Sequence, residues 1–345
     1  EDFPFQETSD QLRVVSEIEV DLQSGKIMDR LVIGDVGFGK TEVAMRAAFR
    51  TVLEGGQVMV LAPTTVLCYQ HYETFKNRML KYGVRVEPVN RFVSTTKIRE
   101  IKEGWASGGV DIVVGTHKIL NKKFKPKSLD LLIVDEEQRF GVGHKERIKE
   151  LKSSAAILTM SATPIPRTLH MSMLGLREIS LLATPPANRL SVKNFLINFD
   201  EQLIRNAVEH ELRRGGQVFI VHNRVEDIAE IANFVSMACG HIDVQVGHGQ
   251  QSEKELERVI KDFIDQKFSI LVCTTIIESG IDMPNVNTII VNNAHHFGLS
   301  QLYQLRGRVG RSGNQAYAYF ITPPVDRLTE DSRKRIEVLM AHQDL

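Results

Sequence analysis

The chain has 345 residues, enough for two domains with separate cores. Its 42% hydrophobic and 25% charged content is that of a soluble globular protein, which excludes a disordered or membrane-embedded chain. The 43 basic residues are matched by 43 acidic ones, so no global basic field holds nucleic acid, although a basic cleft is compatible with that balance.

Short apolar runs alternate with longer helical patterns. In the first half, strands are expected at 31–33, 58–61, 84–88, 111–114, 131–134 and 157–160. Helices are expected over 10–20, 41–53, 96–105 and 144–151. The strands are rich in Val, Ile and Leu without alternation, as a parallel sheet covered on both faces requires. The pattern restarts with strands at 192–199, 218–221, 244–246, 270–273 and 288–291, and helices over 200–214, 225–238, 252–266 and 300–308. Between the halves, Pro185 and Pro186 stand in a small polar stretch that neither sheet can absorb. The expectation is two α/β domains, residues 1–187 and 188–345.

Cys68, Cys239 and Cys273 are scattered and odd in number, which suits buried free thiols in a reducing cytoplasm. No apolar stretch is long enough to span a bilayer, and no signal peptide opens the chain. With no initiator Met and no closing cap, the chain is expected to be a fragment of a larger protein.

Directly after the apolar run Leu31-Val32-Ile33 comes Gly34-Asp35-Val36-Gly37-Phe38-Gly39-Lys40-Thr41. This is G-x-x-x-x-G-K-[ST] between a strand and a helix, the context that makes it a phosphate loop. Glycines let backbone N–H groups curl around an anion, and the helix start adds partial positive charge. Lys40 can reach the β- and γ-phosphates of ATP, and Thr41 can ligate Mg²⁺. Asp135 and Glu136 end a buried strand, where side chains reach the ligand crevice. Asp135 would hold the Mg²⁺ and Glu136 would deprotonate the attacking water. Upstream, Gln11 offers an amide to an adenine edge and Phe5 a stacking face; equally, Gln11 and Thr8 could cap a first helix. Ser161 and Thr163 could relay the state of the acidic pair, or form a helix-entry turn before Pro164.

In the second half, Arg308 and Arg311 are three apart on an expected helix and would share a face. Such a pair can clamp a γ-phosphate, or be a solvated basic face. Residues 274–282 follow a strand. Thr274 and Thr275 suit a sugar–phosphate strand, Gly280 a tight turn, and Asp282 a contact with nucleotide; a plain strand-end turn explains them as well.

Together these motifs stand in the order seen in superfamily 2 helicases and translocases, which the chain resembles. Residues 28–49, 132–149, 161–173, 181–193 and 296–312 bring it near the motor module of the bacterial transcription-repair coupling factor (Mfd) family. Residues 34–37, 162–169 and 304–311 are shared with fork-remodelling helicases of the RecG kind, while Phe38, residues 42–49 and Glu137 favour the former.

The resemblance implies two RecA-like parallel-sheet domains in tandem, with ATP and Mg²⁺ in the cleft between them. It implies adenine recognition by Gln11, an ATPase core of Lys40, Thr41, Asp135 and Glu136, and arginine fingers at Arg308 and Arg311. It implies contacts to double-stranded DNA at Thr64, Thr65, Arg91, Thr116, His117, Asn223, Arg224, His248, Gln250, Thr274 and Thr275, made to phosphates and sugars. Coupling would run through Gln138, Ser161, Thr163 and Gln304, with Gln138 where the relatives usually carry His. RNA polymerase and UvrA would be partners of the parent protein through regions absent here. The chain would also end inside the hairpin that couples hydrolysis to movement, so poor translocation is expected. A RecG-like helicase, an RNA helicase and a nucleotide-gated binding module without turnover stay open as alternatives.

Overall fold

The evenly apolar runs of the first half form β1 (Asp29–Gly34), β2 (Gln57–Leu61), β3 (Val86–Val89), β4 (Ile112–Gly115), β5 (Leu129–Asp135), β6 (Ala156–Ser161) and β7 (Glu178–Leu182). The structure, a computed structural model, describes residues 6–35, 37–162, 177–186, 190–274, 283, 285–310 and 313–341. It divides into two compact units, Glu1–Ala187 and Asn188–Leu345.

In the first unit the strands lie in the order β3-β4-β2-β5-β6-β1-β7. Every described pairing is parallel. The helices are α1 (Ser9–Gln23), α2 (Lys40–Leu53), α3 (Thr65–Met79), α4 (Thr95–Ser107) and α5 (Val142–Leu151). β2 and β4 are buried along their whole length, which is why they do not alternate. One core cluster packs Trp105, Ile101, Phe124 and Phe140 against Met59, Val113 and Leu132.

The second unit orders its strands β10-β11-β9-β12-β13-β8, again parallel in every described pairing. These are β8 (Lys193–Ile197), β9 (Gln217–Val221), β10 (Val244–Gly247), β11 (Ile270–Cys273), β12 (Val286–Val291) and β13 (Tyr317–Ile321). Its helices are α6 (Glu201–Arg213), α7 (Ile228–Ala238), α8 (Glu253–Ile264), α9 (Leu299–Arg306) and α10 (Glu330–Ala341).

Both units start a central strand with a buried glutamine after a Gly-Gly pair. Gln57 Nε2 donates to the carbonyls of Trp105 and Val110, and Gln217 Nε2 to those of Phe263 and Phe268. Each amide ties the start of its strand to the end of a neighbouring helix and so closes the bottom of the core.

The structure corrects the expectation in three places. The strand expected at 84–88 is Val86–Val89, and Pro88 is tolerated because β3 lies at the sheet edge. Strands β7 and β13 and helices α3 and α10 are not among the expected elements. The helix expected over 300–308 stops at Arg306, capped by Gly307, and Gly310 follows with φ +76°. Arg308 therefore sits in the turn beyond the helix and not on its face.

Candidate functional site

All strands of a unit run the same way, so their carboxyl ends form one row. In the first unit the sheet order sorts the candidate residues along that row. Arg91 follows β3, Thr116 and His117 follow β4, and Thr64 and Thr65 follow β2. Next come Asp135 at the end of β5 with Glu136 after it, Ser161 at the end of β6, and the phosphate loop after β1. One half of the row carries the polynucleotide candidates and the other half the nucleotide candidates. Phe5, Val36, Thr163, Thr275, Gly280, Asp282 and Arg311 lie outside the described residues.

The phosphate loop owes its shape to two left-handed glycines, Gly37 (φ +87°) and Gly39 (φ +86°). Gly34 is needed for a different reason: a Cβ there would lie 2.8 Å from Leu182 Cβ on β7. Asp35 is exposed, whereas Phe38 is buried. Helix α2 starts at Lys40 behind Gly39, and no side chain among the described residues caps it. Lys40 Nζ donates to the carbonyls of Gly34 (2.5 Å) and Asp35 (3.0 Å), so it spans the loop from within. Thr41 lies in the first turn of the same helix.

Gln11 is a cap and a latch. Its Oε1 accepts from Thr8 N, Thr8 Oγ1 accepts from Gln11 N, and its Nε2 donates to the Phe38 carbonyl at 2.9 Å. The side chain is buried, and its amide is committed to the loop on one side and to α1 on the other.

At the end of β5 the backbone turns left-handed at Glu136 (φ 49°, ψ 54°), a conformation that is strained for glutamate. The turn brings its carboxyl under Ala162, whose N–H donates to Oε1 at 3.3 Å, and Gln138 Nε2 donates to Oε2. Burial pushes the Glu136 carboxyl up, and the charge of Asp135 adds to this; Lys40 pulls it down. Lys40, Asp135 and Glu136 thus share one electrostatic neighbourhood. Among the described residues, the partner of the Gln138 amide is Glu136.

Two partners were not foreseen. His71 on α3 donates its Nε2–H to Asp135 Oδ2 at 2.8 Å, and both side chains are buried. Arg177 forms an ion pair with Asp29 and donates to Glu137 Oε2 and Thr159 Oγ1, tying the acidic turn to β6 and β1. Neither has a sequence spacing that could announce it.

The donor set fits a magnesium ion carried in on a nucleotide. Such an ion needs one or two carboxylates plus phosphate oxygens, and Asp135 with the Thr41 hydroxyl can supply the protein's share. Among the described residues, no cluster of three or more His, Cys, Asp or Glu could hold an ion by itself.

On the polynucleotide side, Thr64 caps α3 through Oγ1, which accepts from Leu67 N, and Arg91 Nε donates to Thr65 Oγ1 at 3.3 Å. Thr116 is buried, and exposed His117 stacks on His144 with ring centroids 4.9 Å apart.

The second unit repeats the arrangement. His248 and Gln250 follow β10, Thr274 follows β11, and exposed Asn223 and Arg224 follow β9, three adjacent strands. Buried His222 holds that last loop: its Nε2 meets Asp227 Oδ1 at 2.8 Å and its Nδ1 meets Asn292 Nδ2 at 3.1 Å. Gln304 is exposed on α9, and Arg308, beyond its end, is buried.

Residues 8–172 match the DEAD/DEAH box helicase family and residues 200–313 the helicase conserved C-terminal domain. Over 344 residues the chain is 52% identical to the transcription-repair-coupling factor of Staphylococcus haemolyticus, matching all of this chain and 29% of that protein. It is 52% identical to the same factor of Escherichia coli over 343 residues, 99% of this chain and 30% of the relative. The chain therefore spans under a third of the length of these relatives. The structure of RecG bound to a three-way DNA junction superposes with a TM-score of 0.83 at 34% identity, covering 99% of this chain and 46% of that one. With both helicase halves in tandem and a likeness to part of the transcription-repair-coupling factors that runs along the whole of this chain, the chain belongs to the superfamily 2 helicases.

Proposed function

We propose that the chain is the ATP-driven motor of a double-stranded DNA translocase acting in transcription-coupled repair. The observation that carries this reading is the ordering of the carboxyl-end row: polynucleotide candidates on adjacent strands at one side, phosphate loop and acidic pair at the other. A sheet built so can grip a strand and a nucleotide at once. Lys40 and Thr41 hold the phosphates and Mg²⁺, Asp135 takes the cation, and Glu136 is the base for water. Phe5 offers the adenine a stacking face, while Gln11, whose amide is taken up by Phe38 and Thr8, holds the loop in place. Arg308 and Arg311, from the second unit, meet the γ-phosphate when the motor closes on ATP, and release after hydrolysis resets the grip. The parent protein displaces stalled RNA polymerase and recruits UvrA in the cytoplasm.

DNA-stimulated phosphate release is the test. Lys40→Ala should abolish it; turnover that survives this change would mean the site is wrongly assigned. RecG-like fork remodelling is the second reading, favoured by the likeness to RecG on a three-way junction. Displacement of a triplex-forming strand from linear duplex selects the translocase, and unwinding of a junction without it selects the remodeller.

A further inference from the structure

Helix α3 stands on the border between the two halves of the row. It follows β2, whose neighbours are β4 on the polynucleotide side and β5 on the nucleotide side. Its amino end carries Thr64 and Thr65, and Thr65 is tied to Arg91. Six residues on, roughly 9 Å along the axis, comes His71. There the ring donates to Asp135 across the β2–β5 boundary, between two buried side chains. A charge-assisted bond of this kind is about twice as strong as a neutral one. Taken up from one side, the Asp135 carboxylate is left a restricted set of directions in which to accept a cation.

We propose that His71 is a positioning residue: it fixes the Asp135 carboxylate for the nucleotide's divalent cation and ties that geometry to strand contact at the amino end of α3. Polynucleotide binding then adjusts the cation site through one helix. The inference rests on the reading of Asp135 as the cation's carboxylate. A merely structural role, pinning α3 to β5, would predict lost stability with an unchanged cation requirement.

The test titrates Mg²⁺ against binding of a fluorescent ADP analogue, without turnover, in the full chain. Outer partners of this type are worth ~10–100-fold in metal affinity, so H71A should raise the half-effective Mg²⁺ at least about tenfold. H71Q, whose Nε2 amide reproduces the donor, should stay close to wild type. H71N, too short to place a donor there, should behave as H71A, and it carries the test if H71A does not fold. Duplex DNA should lower the half-effective Mg²⁺ of wild type and leave that of H71A where it was. An unchanged Mg²⁺ requirement in H71A, or equal losses in H71A and H71Q, overturns the positioning role. Equal DNA shifts in wild type and H71A overturn the link through α3. D135A separates the two levels: if it leaves the Mg²⁺ requirement intact, the assignment of Asp135 itself fails.

Discussion

The side-chain amide of Gln11 donates to the Phe38 carbonyl at 2.9 Å and pins the phosphate loop from outside while closing the first turn of α1. Gly39 is pressed against it: a Cβ there would lie 2.3 Å from Gln11 Nε2, on a backbone with φ +86°. Gly39→Ala should therefore lose ATP binding and thermal stability together. Adding Gln11→Ala removes the collision and leaves the left-handed strain, so it should recover part of the stability. Thermal melts of the two variants, with and without ATP, check this.

Glu136→Gln keeps the side chain's size and its acceptor for Ala162 N–H but cannot take a proton. ATP binding should persist while single-turnover hydrolysis falls by ~10²–10⁴-fold. Binding and cleavage lost in equal measure would make Glu136 a structural acid.

Arg91 meets Thr65 at the amino end of α3, beside the strand ends assigned to DNA. Arg91→Ala should weaken duplex binding alike for all sequences and reduce the salt slope by about 1, as loss of one phosphate contact does. Fluorescence anisotropy over a salt series measures it. Nucleotide affinity without DNA should not move.

The strand, glycine loop and helix around residues 34–41 were legible because their geometry is local: the left-handed glycines and the helix start at Lys40 lie within eight residues of β1. The sheet class was legible because buried parallel strands are continuously apolar. β7 escaped because only Ser180 and Leu182 of it are buried, at the sheet edge, and β13 because its tyrosines interrupt an apolar run. The end of α9 was readable in principle, since Gly307 and Gly310 bracket Arg308. His71 was not, because it meets Asp135 across 64 residues with no periodicity linking the two. Tertiary partners of that kind are set by strand order, which a single sequence does not print.

Asp10 Oδ2 accepts from Ala183 N, Thr184 N and Thr184 Oγ1, each at 2.9 Å. These bonds, that of Ala183 first, hold its pKa down from 3.8 to about 2. A carboxyl depressed in the fold stabilises fully above its unfolded value, and the contribution is lost as pH falls through the folded one. The amides of Ala183 and Thr184 should thus lose hydrogen-exchange protection between about pH 4 and pH 2. Asp10→Asn should show the faster exchange already at neutral pH, and protection unchanged by the substitution would refute the latch.

Glu211 is fully buried in the second unit, where it accepts from Thr288 Oγ1 at 2.6 Å, from Asn287 Nδ2 and from Arg214. Glu211→Ala strands these donors and should cost about 3–5 kcal/mol. Urea unfolding of the chain reads the loss, with the transition of the first unit unmoved.

The left-handed backbone at Glu136 sets thermal robustness against the base role proposed for that residue. Glycine or asparagine would occupy that φ and ψ with less strain than glutamate does. A variant library screened for heat resistance alone should accept Glu136→Gly early and deliver a sturdier, inert protein.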